Sequence, residues 1–108
     1  MAIQKKGTGM ADADYAACRF SATVHINEEV VLHLLRALSQ YCESGRYKQI
    51  AWGGTKAKDW RAKDGVATFR FSAPTDRSRF LGEAERLLPA GSWRLIDSSD
   101  SDPATRQR

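Results

Sequence analysis

Between Ala17 and Ile26 the chain alternates. Cys18, Phe20, Ala22, Val24 and Ile26 fall on one side and Arg19, Ser21, Thr23 and His25 on the other. A period of two predicts a half-buried strand. The period then lengthens: Val31, Leu34, Leu35, Leu38, Tyr41 and Cys42 recur at intervals of three and four. With Asn27 as an N-cap and Glu28 and Glu29 at the positive end of the dipole, this predicts a helix from about Glu28 to Glu43, closed by Ser44-Gly45.

Tyr47 to Trp52 reads as a short second strand with Ile50 and Trp52 on one side, and Gly53-Gly54 as a bulge or bend. Thr55 to Ala62 reads as a loop or as more of a hairpin. Lys63-Asp64-Gly65 carries hairpin-turn chemistry. Val66 to Ala73 then alternates again, with Ala67, Phe69, Phe71 and Ala73 set against Val66, Thr68, Arg70 and Ser72. Pro74-Thr75-Asp76 opens a second helix whose apolar residues Phe80, Leu81, Ala84, Leu87 and Leu88 share a face, and Pro89-Ala90-Gly91 ends it. Ser92 to Asp97 gives a last strand.

The order β-α-β-β-α-β predicts an α+β chain with a ferredoxin-like βαββαβ sandwich. Two helices cover one face of a four-stranded antiparallel sheet, with the first and third strands central. At 108 residues the chain is expected to form one domain, over 15–98. Residues 1–14 and 99–108 lack any period and are rich in small and polar residues, so both are expected to be flexible.

Charge is unevenly placed. Met1 to Gly45 carries four bases against five acids, whereas Arg46 to Arg94 carries eleven against five, so the net +4 comes from the second part. No apolar run is long enough to span a membrane, and Met1 to Gly7 leads into no signal-peptide core. No membrane association is expected, and the chain reads as cytoplasmic. Cys18 and Cys42 lie in apolar stretches and are expected as buried thiols. With His25 and His33 as the only histidines, no metal site and no cofactor are expected.

Placing the apolar sets under the helices leaves a polar, basic open face: Arg19, Ser21, Thr23 and His25 beside Val66, Thr68, Arg70 and Ser72, with Arg94 on the edge. The candidate nucleic-acid-binding residues are Arg19, His25, Lys56, Lys58, Trp60, Arg61, Lys63, Arg70 and Arg94. Arginines 19, 70 and 94 would contact phosphates, backed by the hairpin bases, and Trp60 would stack on a base. Trp52, sharing a side with Ile50, reads as core. A wet sheet face rich in Thr, Ser and Arg is equally what strand propensity alone would leave there.

Other chemistries lack their residues. The RNA-recognition signature of the third strand is only partly met: Val66 and Thr68 stand where stacking rings belong. Gly53-Gly54-Thr55-Lys56 lacks the GxxxxGK[ST] spacing of a phosphate loop. His25 and His33 read as structural, and no enzymatic activity is expected. The expected function is a small accessory protein that binds nucleic acid or another polyanion, single strand or duplex, with little sequence selectivity. The alternative is a protein-interaction or homodimeric module in which the open face or a sheet edge meets its partner.

Overall fold

The computed structural model describes residues 12–45, 47–51 and 53–105. Its elements run α1 (Asp12–Ala17), β1 (Phe20–Ile26), α2 (Glu29–Cys42), α3 (Lys48–Ala51), α4 (Ala57–Ala62), β2 (Val66–Phe71), α5 (Pro74–Leu87) and β3 (Trp93–Ser99). The three strands form one antiparallel sheet in the order β2-β1-β3.

The alternation of β1 and β2 does what a period of two requires. Ala22, Val24 and Ile26, with Ala67, Phe69 and Phe71, point to one side and are buried against Val31, Leu32 and Leu35 of α2 and Phe80 and Ala84 of α5. Phe80 sits between Phe69 and Phe71, its ring centre 5.0 and 5.2 Å from theirs at tilted angles, an arrangement that aromatic quadrupoles favour. Cys18 and Cys42 are both fully buried, and neither is in a disulfide.

The chain is α+β, but among the described residues only three strands occur, so the four-stranded sandwich is not confirmed. The second expected strand is absent: Lys48–Ala51 is a short helix, with Ile50 and Ala51 both buried. One turn of helix carries both inward, where the half-buried strand expected here would bury only every second side chain. Trp52, expected in the core, lies outside the described residues. Thr55 to Ala62, expected as loop or hairpin, contains α4, and Gly54, at φ +78°, belongs to a turn between two helices rather than to a bulge. Lys63-Asp64-Gly65 therefore joins a helix to a strand, with Asp64 at φ +56° and Gly65 at φ +87°. Because α3 and α4 occupy the β2 end of the sheet, β2 is an edge strand rather than a central one.

Two end details also differ from expectation. Glu28, not Asn27, is the N-cap of α2, and it makes no side-chain cap bond. Asn27 instead donates from Nδ2 to the Gly91 carbonyl at 2.7 Å, tying the end of β1 to the turn before β3. Beyond β3, the segment expected as a flexible tail turns back: Asp102 N–H donates to the Arg19 carbonyl at 2.9 Å and Ala104 N–H to the Cys18 carbonyl at 3.1 Å. At the other end, part of the segment expected to be flexible forms α1, and the rest lies outside the described residues.

Candidate interaction surface

Cross-strand register decides which candidate residues meet. His25 stands opposite Val66 on one side and Arg94 on the other, next to the Lys63–Gly65 turn. The turn approaches so closely that a Cβ on Gly65 would lie 3.1 Å from His25 Nε2. Ser21 lies toward the opposite end of the same face, with Arg70 and Ser99 as its partners. The expected platform is thus divided. His25, Arg94 and the turn carrying Lys63 gather at one end, whereas Arg19 and Arg70 lie at the other.

At that second end the bases already have partners. Arg70 donates from Nε to the Asp102 carbonyl at 2.9 Å and from Nη2 to Asp102 Oδ1 at 3.0 Å. Arg19 donates to the Asp100 carbonyl at 2.5 Å and lies over the Phe20 ring. Burial alone would raise the Asp102 carboxyl, but hydrogen bonds from Arg70 and Ser21 and the Arg70 charge outweigh it and hold the group below its ordinary value. Ser21, on the nominally open face, is buried.

The bases of α4 and its flanks do not sit on a hairpin. Lys58 and Arg61, three residues apart, share a side of one helical turn, with Lys56 at its N-cap and Lys63 at its C-cap. Lys56, Lys58 and Lys63 are exposed, while Arg61 is paired with Glu29 of α2. Trp60 is not the exposed stacking ring that its polar neighbours suggested. It packs against the core, and its indole N–H donates to the Ile26 carbonyl at 3.1 Å.

A different surface emerges on the helix side. Leu34, Ala37 and Leu38 of α2 face Leu87 and Leu88 at the end of α5 across an apolar groove. Leu88 also lines a second depression, of about 490 Å³, with Leu81, Glu85, Trp93, Arg94 and Leu95. Leu34 is 50% exposed, Leu87 55%, Leu95 45% and Ile96 47%. Leu34, Leu87 and Leu95, half in water along these two depressions, are more than scattered surface apolar residues.

The sequence signals for this surface are present but were absorbed into other readings. Leu34 and Tyr41 share the period of the core stripe, yet with Val30 they form a second stripe beside it, and all three are exposed. Leu95-Ile96 breaks the alternation of the last strand, and the structure shows why. The β1–β3 pairing shifts register between Thr23 and Val24, whose partners are Asp97 and Leu95, which leaves Ile96 as an extra residue.

No family model, curated protein or solved structure matches this chain.

His33 meets Glu29, four residues back on α2, and its hydrogen bond, aided by Arg61, holds the Glu29 carboxyl below its ordinary range. Burial pushes the Cys18 thiol up to about 12, with the charges of Glu43 and Asp14 adding to the effect, so the thiolate needed for nucleophilic chemistry is suppressed. Among the described residues no group of three His, Cys, Asp or Glu side chains is placed to hold a metal ion.

Proposed function

We propose that this protein is a partner-binding module that accepts an extended protein segment along β3. One observation carries the reading: β3 is a seven-residue edge strand, exposed along Arg94 to Ser98, flanked by a depression in which Leu81, Leu88, Trp93 and Leu95 are joined by Glu85 and Arg94. Among the described residues nothing pairs with the outer side of β3; a bulge and the charges of Arg94 and Asp97 moderate this edge, but the apolar side chains beside it stay exposed. The other edge strand, β2, has α3 and α4 packed against it. Strand addition would supply main-chain hydrogen bonds along β3, while alternate side chains of the incoming segment would enter the depression.

The test is selection from a displayed peptide library, followed by affinity measurement on the full chain and on Ile96→Lys, which sets a charge on the exposed edge. Peptides with alternating apolar residues that lose binding to the variant support the reading. Failure to recover binders, or peptides indifferent to the variant, rejects it.

A second reading, polyanion binding, is favoured by a specific grouping: His25 opposite Arg94 beside the Lys63 turn, with Lys56 and Lys58 exposed on and beside α4. Arg19 and Arg70 would contribute little while residues 99–102 engage them. Binding of a fluorescent single strand and a duplex at two salt concentrations tests it. A phosphate-driven complex weakens steeply with salt and with Lys58→Ala plus Lys63→Ala, whereas absence of binding at low salt removes the reading.

A further inference from the structure

The residues along β3 go further than a generic open edge, because they are complementary to themselves. Arg94 is opposite His25 and Asp97 opposite Thr23, so both side chains lie on the open face of the sheet. In a regular strand, residues three apart point to opposite faces. Here the extra residue Ile96 returns Asp97 to the face of Arg94. Both charges are exposed, and Leu95 is directed to the helix side opposite Val24.

We infer that the segment received by β3 is β3 of a second copy of this chain, paired antiparallel about a two-fold axis between Leu95 and Ile96. This rests on the proposed strand-accepting edge. The axis, perpendicular to the sheet, sets Arg94 of each copy opposite Asp97 of the other, giving two oppositely charged cross-strand pairs on one continuous open face. It also sets Leu95 of each copy opposite Ile96 of the other, and each Trp93 opposite Ser98. The two Leu95 side chains come together beside the axis on the helix side, while the two depressions, at the Trp93 ends of the strands, lie on either side of it. The bulge is what makes this register available. A two-fold axis relating residues an odd number of positions apart demands that they share a face, and only the additional residue allows it.

Charge reversal tests the register. The full-length protein is sedimented across the micromolar range as wild type, as Arg94→Asp, as Asp97→Arg and as the double variant; both positions are exposed, and circular dichroism confirms that each variant is folded. The expected result is a wild-type dimer, weakened about ten-fold or more by either single reversal, which sets like charges opposite twice, and restored to within about three-fold by the double reversal. A wild-type chain that stays monomeric overturns the inference, and if library peptides sensitive to Ile96→Lys still bind, the strand-accepting edge itself stands. A dimer indifferent to the single reversals, or not restored by the double one, also overturns it, because it must use another surface or register.

Discussion

Glu43 follows a helix whose outer face is wet, yet it is fully buried. Its carboxyl accepts from Ser72 N–H at 2.9 Å, Ser72 Oγ at 2.5 Å and Gly45 N–H at 3.0 Å, joining the end of α2 to the end of β2. Nothing in the local pattern singles this residue out, since a glutamate after a helix ordinarily faces water. Its role depends on Ser72, twenty-nine positions away. Removing the acceptor strands buried donors, so Glu43→Ala is expected to lower stability by on the order of 3 kcal/mol in urea unfolding, with Glu43→Gln recovering part of it. An effect no larger than that of a surface substitution would mean that water reaches these groups.

At the scale of elements, alternation and helical period were read well where they were long. The helices from Glu29 and Pro74 and the last strand stand within a residue or two of where the pattern puts them, whereas the strand expected from Ala17 begins at Phe20 because Ala17 ends α1. The short segment with Ile50 and Trp52 two apart suits a strand or one turn of helix, and a run of that length does not separate them. Turn chemistry was legible as such, but not what the turn joins. Gly65, at φ +87°, leaves no room for a side chain: an added Cβ would meet His25 Nε2 at 3.1 Å and the Ile26 carbonyl at 3.2 Å. Gly91, at φ +83°, has open space around it. Gly65→Ala is therefore expected to cost about 1–2 kcal/mol from the left-handed backbone plus a contact penalty, and Gly91→Ala only the backbone part. Equal drops in melting temperature for the two would show that the turn yields without strain.

Across the whole molecule, residues 99–102 lock the sheet to its surroundings. Arg77 of α5 donates to the Ser99 carbonyl at 2.8 Å and pairs with Asp100 at 2.7 Å, while Arg70 holds Asp102. Because the Asp102 carboxyl titrates below its unfolded value, its contribution is present above that value and is lost as pH falls through the folded one. Asp102→Asn should accordingly be less stable than wild type near neutrality, by no more than about 1 kcal/mol for a pair this exposed. The difference should close on acidification below about pH 4, where the unfolded carboxyl titrates. Thermal melts of both proteins across that range check it, and a gap that persists at low pH would assign the loss to packing rather than to charge.

Local periodicity was enough to determine the α+β class, the faces that β1 and β2 bury, the two long helices and the buried thiols, because each depends on neighbours a few residues away. The number of strands and the pairing of the bases could not be read from it. Arg70 and Asp102, Arg61 and Glu29, and Trp60 and Ile26 lie about thirty residues apart in the chain, and only closure of the sheet and return of the C-terminal segment bring them together. The same closure leaves β3 bare on one side and, through one extra residue, turns Arg94 and Asp97 to a common face.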